Sequence, residues 1–477
     1  MGQIFDEQAW LAVAPMIALS AGVCLLLLLD VVAGAAPAIL RARAPLLLAS
    51  VVAACAFEIR ALGTPAAKVL DGTLAAGGTI PWWGLLLLAS LLVAWGIGRG
   101  YYREEQKFLI GHDCLMLSAT VGMMLMAGAQ DLIVFFVGLE LLSVPLYALA
   151  SFQRSRSTSV EAGVKYFVLG AFASGIFLYG AALLYAGTGT VSLDRLREVG
   201  AGSPLALAGA ALLAGSLFFK VSVFPFHLWV PDVYQGSPTP VTALMATGTK
   251  AAGFAFLLSV AFLLPREALG IVVAIALATM AAGNLGALVQ TDLKRMLAWS
   301  GIAHAGTILL GIAAGLAGDP VRGGVESATI FYLTAYVFTA GGAFGIVAKL
   351  ESETGRAVTI DSLRGLAKTR PGVAAAMAAF MLSLGGIPAT GGFLGKYLVF
   401  SVAVRAGLVA AAVVGVLLSV VALGYYLRVI VAMYMLPATE EQPSGESRPW
   451  PSLFAATACA AAVIALGILP GFLLERL

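Results

Sequence analysis

The sequence predicts an all-α polytopic membrane protein with about fourteen transmembrane helices, and three observations support this. Of 477 residues, 60% are hydrophobic and only 11% are charged, whereas soluble domains average about 25% charged. Apolar runs of about 20 residues, each long enough to span about 30 Å as a helix, recur along the chain. These runs do not alternate in polarity, which excludes the segments of about 10 residues that build a membrane β-barrel.

The fourteen predicted spans follow one another with short polar connections. The second is the shortest, and the seventh and twelfth are interrupted. Residues 349–371 form the longest basic connection, in which Ile360, Leu363 and Leu366 stand at near-helical spacing, so that an interfacial helix and a plain loop both fit. The spans are residues 10–29, 45–59, 82–97, 113–130, 132–152, 162–186, 205–224 with a continuation to 235, 240–264, 269–290, 296–316, 327–349, 372–404, 408–435 and 450–474.

Basic residues orient these spans. Lys and Arg are more numerous in one set of alternate loops, in which we count Lys294, and cytoplasmic loops carry such an excess. This charge bias places both termini outside, and an even number of spans likewise requires the two termini to share a side. The N-terminal segment carries Asp6 and Glu7 but no basic region, so the first run is expected to be a retained span and not a cleaved signal peptide.

Several classes of function are excluded by what the chain lacks. The net charge is only +3 and no basic tract indicates nucleic acid as a partner. Cys24, Cys55, Cys114 and Cys459 show no CxxC spacing, so neither a metal site nor an iron–sulfur site is expected. There is no dinucleotide-binding fingerprint and no P-loop. We therefore expect no cofactor in this chain, and an ion gradient or a partner subunit must supply its energy.

Two of the spans are broken beside lysines. Residues 224–227 (Phe-Pro-Phe-His) interrupt the run between Lys220 and Lys250, and residues 385–392 interrupt the run that carries Lys396. A break inside a membrane is tolerated where the freed backbone groups face protein or water. Paired broken helices predict two inverted five-helix repeats with a site at their interface. The predicted domains are residues 1–112 (helices 1–3), 113–265 (first repeat, helices 4–8), 266–436 (second repeat, helices 9–13) and 437–477 (helix 14).

Few ionisable side chains stand in mid-span, where a charge costs roughly 2.5 to 3.5 kcal/mol on insertion scales. None of them is an arginine, which would stay protonated, whereas a desolvated lysine can exchange its proton near neutral pH. This pattern favours a proton relay along one polar axis. The candidate relay residues are Glu140, Lys220, Lys250, His304 and Lys396.

Within this set, Glu140 is expected to pair with Lys220, because a carboxylate in the membrane must pair, protonate or touch water. Neutralising Glu140 would then make the lysine proton easier to lose. The static alternative is that the two form a structural ion pair while Lys250 and Lys396 bond carbonyls that the breaks expose. His304 could equally be a neutral hydrogen bonder, and His227 is as well explained by a bond to a freed carbonyl.

Several stretches match a known family. Residues 219–222 (FKVS) and 225–236 (PFHLWVPDVYQG), residues 292–300 (DLKRMLAWS) with His304, and residues 392–396 (GFLGK) strongly resemble the antiporter-like subunits of respiratory complex I. More narrowly, they are similar to the subunit N family. The motifs cover most of residues 113–436. A lysine at position 396 suits subunit N, because the related M subunit carries glutamate there.

The resemblance implies a proton-translocating subunit of an NADH:quinone oxidoreductase that performs no redox chemistry itself. Glu140, Lys220, Lys250 and Lys396 match the family's proton-carrying glutamate and lysines. FMN, iron–sulfur clusters and quinone would belong to partner subunits, and the M-type antiporter-like subunit and small membrane-arm subunits would be neighbours in a bacterial inner membrane. The electron donor and the quinone type stay open. A stand-alone cation/proton antiporter is the alternative.

Overall fold

The computed structural model describes residues 7–33, 37–102, 109–200, 202–318, 322–438 and 451–477, and these are almost entirely helical. The helices are α1 Glu7–Ala33, α2 Pro37–Ala61, α3 Ile80–Gly98, α4 Leu109–Gly128, α5 Leu132–Ala150, α6 Ser157–Thr188, α7 Leu193–Val199, α8 Pro204–Val221, α9 Trp229–Gly236, α10 Thr239–Val260, α11 Leu269–Leu288, α12 Leu293–Leu316, α13 Arg322–Thr354, α14 Leu366–Thr369, α15 Pro371–Gly385, α16 Gly391–Arg405, α17 Val409–Tyr434, α18 Pro451–Ile468 and α19 Gly471–Leu474. Single 3₁₀ turns cover Ala261–Leu263, Arg266–Ala268 and Asp361–Leu363. One antiparallel hairpin pairs β1 Ala67–Val69 with β2 Leu74–Ala76.

The helical membrane class is confirmed. Among the described residues, twelve helices are long and apolar enough to cross a membrane, and Pro371–Gly385 and Phe454–Ile468 are shorter apolar helices. The second span is longer than the predicted residues 45–59, because α2 extends to Pro37 across the arginines that precede its apolar run. The hairpin and α7 were not predicted, since each lies in a short polar connection.

Both predicted breaks are present. The first separates α8, which ends at Val221, from α9, and Ser222 has a positive φ of 69° there. The second separates α15 from α16, with Gly386 at a φ of 82°. The threonine before α16, Thr390, accepts a hydrogen bond from the backbone N–H of Phe393 at 3.4 Å, which restarts the helix with a standard cap.

The long basic connection is neither an interfacial helix nor a plain loop. Its three apolar residues, Ile360, Leu363 and Leu366, are all buried against protein. Ile360 directly precedes the 3₁₀ turn, Leu363 ends it and Leu366 begins α14, so their near-helical spacing reflects packing and not contact with lipid.

The chain divides into two compact units. Unit 1 comprises Met1–Leu91, Arg103–Val221 and Gly248–Pro265, and unit 2 comprises Leu92–Tyr102, Ser222–Thr247 and Arg266–Leu477. In unit 1, α4 packs on α5 and α6 packs on α8, and Phe135 stacks on Phe256 with ring centroids 3.5 Å apart. In unit 2, α11 packs on α12, and α13 packs on α16 and α18.

Glycine allows close helix contacts in both units. A Cβ at Gly122 of α4 would lie 2.4 Å from the backbone nitrogen of Leu142 of α5, and one at Gly283 of α11 would lie 2.4 Å from that of Ala303 of α12. Small residues allow such approach in a membrane, where no hydrophobic force drives helices together. These contacts fix the rotation of α5 and α12, which carry candidate relay residues.

Candidate functional site

Lys220 occupies the last turn of α8, directly before the first break, and only 6% of it is exposed. Its Nζ donates a hydrogen bond to Ser143 Oγ of α5 at 2.8 Å. The same hydroxyl donates to the carbonyl of Leu139 at 2.5 Å. The ring of Tyr166 lies 6.0 Å from Nζ, within cation–π range. Both of these partners of the ammonium group are neutral.

Glu140 does not form the predicted ion pair with Lys220. Among the described residues, no carboxylate oxygen of Glu140 lies within 4.0 Å of a lysine or arginine nitrogen; its Oε1 accepts a hydrogen bond from Ser174 Oγ of α6 at 2.5 Å. Ser143 stands three residues after Glu140, so both share one face of α5. A serine thus occupies the position next to Lys220 that we assigned to the carboxylate.

Lys250 lies in the middle of α10 and is 1% exposed. Gly253, three residues later on the same face, packs against the end of α8. A Cβ there would lie 2.7 Å from Val221 Cγ1 and 3.8 Å from Lys220 Cγ. The face of α10 that carries Lys250 is therefore packed on the segment that carries Lys220, within unit 1.

His304 of α12 is hydrogen-bonded to two tyrosines in unit 2. Its Nδ1 lies 2.6 Å from Tyr332 Oη of α13, and its Nε2 lies 3.2 Å from Tyr426 Oη of α17. Tyr426 is bonded in turn to the Ser300 hydroxyl. Because each hydroxyl can donate or accept, either tautomer of the imidazole is compatible with this run. The four side chains form a continuous hydrogen-bonded series.

Lys396 stands in the second turn of α16, after the second break, and is 8% exposed. Its Nζ donates to the carbonyl oxygens of Leu384 and Gly385, at 2.8 and 3.1 Å. These carbonyls end α15 and have lost their helical partners to the break. Lys396 therefore bonds carbonyls that the break exposes, as the static alternative predicted for its contacts. A small cavity of unit 2 brings Lys396 and His304 together, and it is also lined by Asn284, Thr307, Ser419, Tyr425 and Tyr426.

His227 is buried in the first break, beside two aromatic rings. Its Nδ1 has no hydrogen-bond partner among the described residues, so at this atom it bonds no freed carbonyl. The ring lies 5.5 Å from both Phe224 and Trp299 between ring centroids. The break is instead held by the backbone N–H of Phe224, which donates to Thr279 Oγ1 at 3.1 Å.

The sequence reasoning missed the hydroxyl groups around the charged residues. Ser143 and Ser174 carried no signal, since serine is common in membrane helices. By contrast, the adjacent tyrosines Tyr425 and Tyr426, in the middle of an apolar span, could have indicated hydroxyl groups near the site. Lys294, which we counted in a loop, is also buried inside α12.

Comparison with known proteins fits this architecture. The family described as NADH:quinone oxidoreductase/Mrp antiporter, TM, matches residues 129–422, which is more than half of the chain. The chain therefore belongs to this family of membrane proteins.

The particular proteins that it resembles are subunits N of NADH-quinone oxidoreductase. The subunit N of Myxococcus xanthus is 46% identical over 391 residues, covering 75% of each chain. That of Salinibacter ruber is 42% identical over 434 residues, covering 88% of this chain and 86% of the relative.

Solved structures agree with these relatives. A chain of respiratory complex I from Thermus thermophilus with bound aureothin matches with a TM-score of 0.81 and 37% identity, over 97% of this chain and 98% of that one. A chain of the Mrp complex from Dietzia sp. matches with the same TM-score but 24% identity, and so shows the fold alone.

Proposed function

We propose that this chain is the proton-translocating subunit N of an NADH:quinone oxidoreductase, in the membrane arm of complex I. Protons move through Glu140, Lys220, Lys250, His304 and Lys396, driven by quinone reduction elsewhere in the complex. The observation that carries the proposal is the setting of Lys220: buried at a helix break, with a neutral hydroxyl as its hydrogen-bond acceptor.

A neutral acceptor matters because of what remains when the lysine loses its proton. A lysine locked to a buried carboxylate would leave that charge uncompensated, at a cost of about 3 to 5 kcal/mol. Ser143 carries no charge and can both donate and accept, so neutral Lys220 keeps a partner. The same reasoning applies to Lys396, whose neutral amine can still donate to the carbonyl of Leu384.

Glu140 regulates how readily Lys220 loses its proton. It lies one turn from Ser143 on α5, held by Ser174, and a negative charge there stabilises the protonated form of Lys220 through space. Protonation of Glu140 removes that support, and the lysine proton leaves more readily. In this proposal the switch acts through space, while Ser143 and not Glu140 makes the direct contact with Lys220.

We also propose the cofactors and partners that membership of the family suggests. FMN, iron–sulfur clusters and quinone would belong to other subunits, and the neighbours in the lipid bilayer would include the M-type antiporter-like subunit and small membrane-arm subunits. The membrane is the bacterial inner membrane, with both termini on the periplasmic side. The purified chain should then show neither flavin nor iron–sulfur absorbance, and stoichiometric cofactor in it would contradict this assignment.

The organisation into repeats is also proposed. Residues 113–265 and 266–436 form two inverted five-helix repeats, preceded by residues 1–112 and followed by residues 437–477. One broken helix in each repeat supports this division.

The test uses Lys220→Arg in the assembled complex. Arginine keeps the positive charge but does not release its proton, so proton pumping should fail as it does in Lys220→Ala, and Glu140→Ala should impair it. Pumping is measured as acidification of inverted vesicles during quinone reduction. If Lys220→Arg pumps at the parental rate, Lys220 contributes only a fixed positive charge and the relay is refuted. The alternative, a stand-alone antiporter, predicts that the native assembly contains no redox subunits.

A further inference from the structure

A second group of ionisable residues lies buried in unit 2, apart from the relay residues. Lys294, near the start of α12, is 5% exposed, and Glu351, near the end of α13, is 7% exposed. Nothing in the composition of these segments sets them apart, because both stand where an apolar run meets a polar connection. Burial of two opposite charges at one place requires either a fixed pair or a role in charge movement.

The lysine makes its short contacts to neutral groups. Its Nζ donates to the carbonyl of Ser237 at 2.8 Å and to Thr239 Oγ1 at 3.0 Å, whereas Glu351 Oε1 is 3.5 Å away. Charge-assisted hydrogen bonds between an ammonium and a carboxylate are usually about 2.7 to 2.9 Å long. The ion pair is therefore loose.

The carboxylate is instead bonded to two hydroxyls. Glu351 Oε2 accepts from Tyr101 Oη at 3.1 Å and from Thr239 Oγ1 in a short contact. Tyr101 Oη also accepts the backbone N–H of Thr239 at 3.5 Å. Each hydroxyl can accept a proton as well as give one, so both can carry a proton to or from this carboxyl group.

Two helices begin at this group. Thr239 is the first residue of α10, the helix that carries Lys250, and Lys294 is the second residue of α12, which carries His304. Helix N-termini carry partial positive charge and stabilise a nearby carboxylate, and the lysine adds to this. Glu351 is thus placed at the starts of both helices, beside the positively charged side chain of Lys294.

We propose that Glu351 is a further proton-exchange site of this subunit, a step that rests on the proposed function. Its carboxylate takes up one proton to become the neutral acid. The acid then gives that proton to the Thr239 or Tyr101 hydroxyl, which passes its own proton to a water molecule, so that carboxylate and hydroxyl are both restored. Lys294 balances the charge of the carboxylate between turnovers.

The test compares Glu351→Asp with Glu351→Gln in the assembled complex. Glutamine keeps the length and the hydrogen-bond acceptor but takes up no proton; aspartate keeps the proton site but retracts it by one methylene, away from Tyr101 and Thr239. A proton site predicts that Asp retains most of the proton pumping and that Gln slows it by at least about tenfold. If Glu351 only holds the helices together, Glu351→Gln should pump faster than Glu351→Asp.

A neighbouring carboxylate provides the matched control. Glu353, two residues later, is bonded to Lys349 at 2.8 Å and to Arg370. Because Lys349 is itself buried, Glu353→Gln should lower the stability of the complex. Each assembled complex should still pump within about twofold of the parent, because Glu353 bonds neither Tyr101 nor Thr239. If the complex that carries Glu351→Gln does not assemble, the test uses Glu351→Asp. Its turnover in D₂O should slow by a larger factor than that of the parent, and an unchanged isotope effect would overturn the proposal.

The relay is tested in parallel with Lys220→Ala. If Lys220→Ala abolishes pumping while Glu351→Gln pumps normally, the proton-exchange site is wrong and the proposed function stands. If neither variant affects pumping, the proposed function itself fails.

Discussion

The two helix breaks look alike in sequence but use their lysines differently. Lys220 precedes the first break and donates to a serine hydroxyl on another helix, α5. Lys396 follows the second break and donates to two carbonyls at the end of α15, which the break itself exposes. In the first break, the backbone N–H of Phe224 is satisfied separately, by Thr279.

This difference separates proton binding from structural support. Lys220 can change its protonation state without altering how the first break is held. At the second break one side chain satisfies the freed carbonyls and also carries the exchangeable proton, so the two roles are joined. Buried carbonyls without a partner are costly, and Lys396 should therefore matter for stability as well as for pumping.

The largest contrast is expected between Lys396→Met and Lys220→Met. Loss of Lys396 leaves two carbonyls unpaired, at about 1 to 3 kcal/mol each, while Ser143 keeps its bond to Leu139 when Lys220 is lost. Both variants should lose pumping, but only Lys396→Met should lower the thermal stability of the purified complex markedly. Equal losses of stability in the two variants would contradict the view that only Lys396 supports its break structurally.

The second prediction concerns packing at the first break. In Gly253→Ala the new Cβ would lie 2.7 Å from Val221 Cγ1, so stability should fall by about 1 to 3 kcal/mol and pumping should slow. Gly175→Ala is the control, because nothing lies within 4 Å of a Cβ there, and it should change stability by no more than about 0.5 kcal/mol. Thermal denaturation of both variants measures the difference.

A smaller effect is expected from Ser143→Ala. It removes the hydroxyl that accepts from Lys220, a bond of about 1 kcal/mol, and pumping should slow by roughly fivefold. Ser174→Ala, which removes the donor to Glu140 and leaves Ser143 in place, should slow it less. An unchanged rate in Ser143→Ala would exclude the hydroxyl from the proton path.

The smallest effect is expected from Tyr332→Phe. His304 loses its 2.6 Å contact but keeps Tyr426 at 3.2 Å, so one partner remains and pumping should slow by about twofold. The rate in the double variant with Tyr426→Phe should fall much further. Equal rates in single and double variants would remove the tyrosines from the path.

The sequence alone predicts the helical membrane class, the places of the breaks and the burial of four of the five candidate relay residues; the fifth, Glu140, is only partly buried. These depend on local quantities: the free energy of placing each side chain in lipid, and the effect of proline and glycine on the backbone. Lys220 and Lys396 could be placed beside breaks for this reason, because each stands within a few residues of one.

Which side chains meet depends on how the helices pack against one another. Glu140 and Ser143 differ by one turn of α5, and the rotation of that helix, fixed by the close contact at Gly122, places the serine and not the carboxylate against Lys220. Lys294 shows the same limit, since its charge predicts a loop while packing buries it in a helix. Helix rotation and crossing depend on contacts between residues far apart in the chain, and local composition does not encode them.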